Sequence, residues 1–169
     1  MMSEIAKLRQ QAASVYVGRI SLKQCSKNNL HSDKDYGILL ECVFEKKRDD
    51  TVLRIQWNGD MRLIHKGSKV GSCRRWYFTL NGKECSQPDT IDAVLFASKN
   101  DTNNHRPGNV EGYCSGVPAG TVKVAWNVGD CPLQWGTAYS AGDSFSGWVS
   151  TSRITVEEQI VHDAGDNIG

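Results

Sequence analysis

Six cysteines, Cys25, Cys42, Cys73, Cys85, Cys114 and Cys131, are spread through the centre of a 169-residue chain. None forms a Cys-x-x-Cys pair, so the usual structural-zinc and thioredoxin-type spacings are missing. An even set of this kind fits three disulfides in an oxidising compartment; the alternative is six buried thiols. Spacing alone leaves the connectivity open. Sequential pairing is the expectation: Cys25 with Cys42, Cys73 with Cys85, Cys114 with Cys131, at separations of 17, 12 and 17. Each loop encloses a turn-rich stretch between candidate strands. Closing it is worth about 3 kcal/mol in chain-entropy terms. Disulfides imply secretion, yet Met1–Arg9 holds no unbroken apolar run of the signal-peptide kind. The expectation is therefore a secreted, extracellular protein whose signal and upstream region lie outside this chain. The sequon Asn100-Asp101-Thr102, in a polar loop, is the candidate glycosylation site.

Hydrophobic periodicity divides the chain into three parts. Residues 1–16 hold the one helical pattern: Ser3 as N-cap, then Ile5, Leu8, Ala12 and Val15 at heptad-like spacing. So short a helix is marginal alone, and its stripe packs either on its own domain or in a coiled coil between copies. Residues 17–159 read as strands. Runs over 16–22, 37–46, 51–57, 61–65, 75–80, 90–98, 121–128 and 147–158 are rich in β-branched and aromatic residues. Asn58-Gly59 and Asn81-Gly82 each predict a tight hairpin turn, and the polar stretch 99–109 predicts a loop. The 16 glycines fit many turns. Many short strands with open edges need a double-sheet or closed architecture, so the expected fold is an all-β jelly-roll sandwich with a short N-terminal helix; packing of several copies would cover more of the surface, but two heptads do not fix their number. Residues 160–169 read as a frayed tail.

Charge narrows the function. Lys plus Arg number 20 against 19 Asp plus Glu, which argues against a bulk nucleic-acid binder. Apolar runs such as Val94-Leu95-Phe96-Ala97 are too short for a membrane span. The strongest local feature is a cationic segment without acids: Arg62, Lys66, Lys69, Arg74 and Arg75, with His65. Converging on one face, these would hold an anionic partner such as a sulfated glycan; otherwise they are a charged, solvated hairpin edge. Gly142-Asp143-Ser144 resembles a hydrolase nucleophile triplet. No histidine base lies near it in sequence, so it reads as a turn into a strand. His31, His65, His105 and His162 lack metal-type spacing, and no phosphate-cradling glycine loop is present. The expectation is a binding protein with no catalytic residue, metal or cofactor. In Arg75-Trp76-Tyr77-Phe78-Thr79-Leu80, Trp76 and Phe78 face one side of a strand and Tyr77 the other.

The motifs Gln24-Cys25-Ser26, Glu41-Cys42-Val43-Phe44, Arg74-Arg75-Trp76-Tyr77-Phe78-Thr79 with Asn81-Gly82, and Glu84-Cys85-Ser86 run in order along the chain. Val110-Glu111-Gly112-Tyr113-Cys114, Val128-Gly129-Asp130-Cys131, and Gly147-Trp148-Val149-Ser150 with Ser152-Arg153-Ile154 follow. Together they resemble the C-terminal globular domain of the collagen triple helix repeat-containing protein family, from about residue 24 to residue 158. The resemblance implies a secreted, glycosylated matrix protein with a trimeric head of the complement/TNF jelly-roll type. It also implies a role in Wnt–Frizzled signalling and in limiting collagen deposition. It carries over no enzyme site. The chain departs from that family in lacking a Gly-X-Y repeat before the domain and further cysteines around Cys73, which favours three bridges within one chain.

Overall fold

The computed structural model describes residues 19–132 and 139–160. The expected helix with Ile5, Leu8, Ala12 and Val15, and all but the first residue of the expected tail, lie outside the described residues. Within them there is no helix. Ten strands make two sheets. In the first, β1 (Arg19–Lys27), β10 (Ser152–Gln159), β3 (Val52–Ile64) and β6 (Arg106–Cys114) lie side by side, with β9 (Asp143–Ser146) also on β3. In the second, β2 (Gly37–Lys46), β7 (Gly120–Gly129), β4 (Gly71–Leu80) and β5 (Asp92–Ser98) follow in that order, with β8 (Ser140–Ala141) on β4. Every pairing is antiparallel except β4 with β8. The chain crosses repeatedly between the layers, as the jelly-roll expectation requires.

Alternation along the strands fills the space between the sheets. From the first sheet come Leu53, Ile55, Trp57, Ile154 and Val156; from the second come Trp76, Phe78, Val124, Trp126 and Val128, all fully buried. Trp57 stacks on Trp126 across the layers, with ring centroids 4.8 Å apart and planes at 15°. Phe78 closes on the same Trp126 ring at 4.7 Å. Trp76 sends its indole N–H to the Ser146 hydroxyl at 3.0 Å. Tyr77 takes the opposite face from Trp76 and Phe78, as alternation predicts, and lies under the Arg75 guanidinium.

Two expectations of local structure need correction. Asn58-Gly59 makes no hairpin: β3 runs straight through it for 13 residues. Gly59 is needed for close approach instead, since a Cβ there would lie 2.5 Å from the Trp57 ring and 2.8 Å from the Ser152 hydroxyl. The second Asn-Gly does turn, with Asn81 and Gly82 at φ 50° and 80° and a bridge from Leu80 to Lys83. The loop expected over residues 99–109 also ends early, because β6 begins at Arg106. Its inward positions Gly108 and Gly112 carry no side chain, the space being filled by Met61 and Ile91, so β6 shows little apolar alternation in sequence.

All six cysteines are oxidised, but only one bridge follows the sequential expectation. Cys25–Cys42 ties β1 to β2, joining the outer strands of the two sheets. The others are Cys73–Cys131 and Cys85–Cys114, in place of Cys73–Cys85 and Cys114–Cys131. Strand register is the reason. Arg75 lies opposite Gly129 in the β4–β7 ladder, and continuing that ladder sets Cys73 opposite Cys131. Cys85, in the β4–β5 connection, reaches instead to the end of β6 and links the second sheet to the first.

A buried carboxylate fastens the β2–β3 connection. Glu158 is fully buried, and its oxygens accept the Lys47 and Arg48 backbone N–H groups at 2.8 and 2.9 Å, the Thr51 hydroxyl at 2.7 Å and the Ser21 hydroxyl at 3.2 Å. Burial pushes its pKa up, but these donors outweigh burial and hold it below the usual value.

Non-reducing peptide mapping should recover Cys73 joined to Cys131 and Cys85 joined to Cys114; a Cys73–Cys85 peptide would contradict the ladder. The closed loops span 58 residues for Cys73–Cys131 and 17 for Cys25–Cys42. Chain entropy gives about 4 against about 3 kcal/mol, so removing the first pair should cost more in urea denaturation. Glu158→Gln should lower stability at neutral pH by about 2 kcal/mol. Because the folded carboxyl titrates below its unfolded value of about 4.3, its contribution is complete above that pH and vanishes as pH falls through the folded value. The variant should therefore show a flatter acid limb in a stability–pH series than the parent.

Candidate functional site

The cationic segment does not form one open face. Arg62 and Arg74 are buried. Arg62 meets Asp143 at 3.2 Å and lies over the Phe145 ring. Arg74 donates to the Gly142 carbonyl at 3.0 Å and to Asp130 at 2.7 Å, faces Asp35 at 3.6 Å, and covers the Tyr36 ring. Arg75, on the outer face of the second sheet, is held by Asp92 and Glu84. Lys66 and Lys69 are exposed, with Lys66 3.4 Å from Asp143. Three of the five cations therefore hold strands together: alternation turns Arg74 inward between the sheets, while Arg62 on the outer face of the first sheet and Arg75 on that of the second each find an acid beside them.

The same carboxylates explain the Gly142–Gly147 motif. The Ser144 backbone N–H donates to Asp35 at 2.8 Å, and the Ser144 hydroxyl lies 2.7 Å from Asp35 and 2.9 Å from the Lys34 carbonyl. Both partners are structural acceptors, and among the described residues no imidazole is hydrogen-bonded to the hydroxyl. A side chain at Gly142 would collide with Leu63, the Ile64 carbonyl and Ser72 at 2.6–2.7 Å. The motif seats β9 against β3 and the 32–35 segment. Among the described residues no group of three His, Cys, Asp or Glu converges on a common metal position.

An open cleft of about 600 Å³ lies on the outer face of the first sheet. It forms where one strand gives way to another along β3. β10 pairs with β3 as far as Asn58, β9 pairs from Met61 onward, and residues 147–151 loop outward between them. Asn109, Asn58 and Arg153 form one row across β6, β3 and β10. The Asn109 side-chain carbonyl accepts the amides of Asn58 and Gln56, both at 3.1 Å, leaving its own amide group to face outward contacts. Trp148 stands at the cleft, 50% exposed, with one side against the His105 ring at 4.7 Å. Asp60 fixes it: one carboxylate oxygen accepts both His105 Nδ1 at 2.9 Å and the Trp148 backbone N–H at 3.1 Å. The Asp60 carbonyl also accepts the Gly147 N–H at 2.9 Å.

Two other surface features bear on binding. Asn100 is exposed in the turn after β5, where its side chain is open to solvent. On the outer face of the second sheet, Val94 and Phe96 of edge strand β5 are 49% and 51% exposed, beside Tyr139 and the Cys73–Cys131 bridge. Sequence reading did not find the cleft. Its residues come from three separate stretches, and Asn58 looked like half of a turn. The available signal was Trp148, a large aromatic in a Gly- and Ser-rich stretch where a core residue is out of place.

Among solved structures, the chain is similar to the C-terminal domain of EclA, a sugar-binding protein, at 14% identity over 84% of this chain and 82% of that one, with a TM-score of 0.30. The family described as CTHRC1, C-terminal domain, matches residues 19–156, nearly the whole of the sandwich just described. Its span takes in all six bridged cysteines, the three-strand row and Trp148, and the chain belongs to that family.

Proposed function

We propose that this chain is the non-catalytic binding head of a secreted, extracellular matrix and signalling protein, that it works as a homotrimer, and that it modulates Wnt–Frizzled signalling and collagen deposition. Membership of the CTHRC1 C-terminal domain family over residues 19–156 is the observation that carries this reading. Three disulfides fit an oxidising, extracellular setting, and no helix among the described residues is long and apolar enough to cross a membrane. The exposed Asn100, within its Asn-Asp-Thr sequon, supports glycosylation there. The Ile5, Leu8, Ala12 and Val15 stripe supports assembly of several copies, which multiplies weak contacts without adding new ones. The exposed Val94 and Phe96 supply the apolar anchor that protein interfaces favour at their centre. The ion pairs holding Arg62, Arg74 and Arg75 do not favour the cationic segment as the main partner surface.

Two measurements test it. Sedimentation of the full chain should give about three times its 18.7 kDa mass; a monomer rejects the trimer. The cysteine-rich ectodomain of a Frizzled receptor should bind saturably. Val94→Asp with Phe96→Asp should weaken that binding by about tenfold, or about 1.4 kcal/mol, with the melting temperature unchanged. Absence of saturable binding rejects the receptor assignment.

A further inference from the structure

We propose that the Trp148 cleft is a saccharide-binding site, and that it takes an acidic sugar whose carboxylate pairs with Arg153. The site lies on the first sheet, away from Val94 and Phe96, so it stands or falls independently of the protein-docking role.

Four observations carry this. The cleft has a volume within the range of small-molecule sites and is lined by both aromatic and polar groups. Trp148 offers half of its surface to solvent while its other side is braced by His105 and its backbone by Asp60. A pyranose ring has one face made of C–H bonds, and the negative face of an indole is the surface that such a ring packs against. The row Asn109, Asn58, Arg153 spans three neighbouring strands, about 10 Å from strand spacing. It offers an amide donor, an amide acceptor and a cation, a set that matches adjacent hydroxyls and a carboxylate. Arg153 is exposed and has no ion pair among the described residues, unlike Arg62, Arg74 and Arg75. Among the described residues the one acid lining the cleft, Asp60, is already committed to His105 and the Trp148 backbone, so it does not neutralise Arg153 through a direct pair.

The cleft also holds an unmet bond and a strained backbone. Ser150 lines it, and its buried hydroxyl has no hydrogen-bond partner, where such a group is normally satisfied. Val149, next to Trp148, has φ +48° although it is β-branched and 72% exposed. A β-branched residue reaches that region only when its surroundings impose it, and such strain gathers at ligand sites. Here the imposing contacts are the Asp60 bonds to Gly147 and Trp148 and the His31 N–H to Gly147 carbonyl bond at 3.0 Å. The strained turn thus sets the indole before any ligand arrives.

The test is titration of the full chain with a hyaluronan tetrasaccharide, an unsulfated uronate-containing probe, and with neutral chitotetraose, followed by calorimetry and saturation-transfer NMR. The hyaluronan probe should bind saturably and more tightly than chitotetraose. Trp148→Ala should weaken it by at least about tenfold, equivalent to about 1.4 kcal/mol. Arg153→Gln should remove the preference for the acidic probe. Both side chains are exposed, and unchanged melting temperatures confirm that the variants fold. No saturable binding, binding unaffected by Trp148→Ala, or equal affinity for both probes overturns the proposal. Loss of binding in Lys66→Glu with Lys69→Glu, but not in Trp148→Ala, also overturns it by moving the anion contact to the cationic segment.

Discussion

The Trp57 indole lies flat on Trp126 between the two sheets, and its bulk dictates what the strands above it can carry. Added side chains at Gly59 or Gly108, which oppose each other in the β3–β6 ladder, would strike that ring. Small residues at both positions let the backbone settle onto the ring. Strand β3 then continues unbroken across the point where an Asn-Gly pair would otherwise turn. A long β3 can seat two strands end to end on one edge, β10 and then β9. The gap between those two strands is the cleft, and the loop that spans the gap carries Trp148. Ring stacking in the core and a binding surface on the outside are thus linked through one strand.

Charge plays a structural part that its position in the sequence conceals. Glu158, Arg62 and Arg74 are all buried, which costs stability unless each finds partners. Each does. Glu158 takes two backbone N–H groups and two hydroxyls, Arg62 takes Asp143, and Arg74 takes Asp130, Asp35 and a carbonyl. These contacts pin segments that strand pairing alone would leave loose: the 47–51 turn, the short β9 and the 32–36 stretch. Asp35, one of the acids that hold Arg74, also binds Ser144. A triplet with the look of a nucleophile motif therefore sits in a web of structural hydrogen bonds.

Comparing local signals with their outcomes shows where sequence reading succeeds. Alternation in 51–57 groups Trp57 with Leu53 and Ile55, and in 75–80 groups Trp76 with Phe78, each set on one side of its strand; all five are fully buried. Those patterns depend only on the two-residue period of a strand. Strand β6 escaped notice because glycines stand where its inward side chains would be. Two identical Asn-Gly pairs had opposite fates, since Asn81-Gly82 lies at a surface turn and Asn58-Gly59 over a tryptophan ring. The cationic segment looked continuous along the chain, but strand alternation sent its members to both sides of the sheets.

What the sequence by itself determined is the all-β character, the oxidised cysteines, which aromatics share a strand face and the family, because each rests on residue type and short-range spacing. What only the tertiary structure decided is which cysteines meet, which cations remain open to a partner, and that Asn58, Asn109, Trp148 and Arg153 share one cleft. Those outcomes depend on strand order and register, and register is set by packing between residues far apart in the chain.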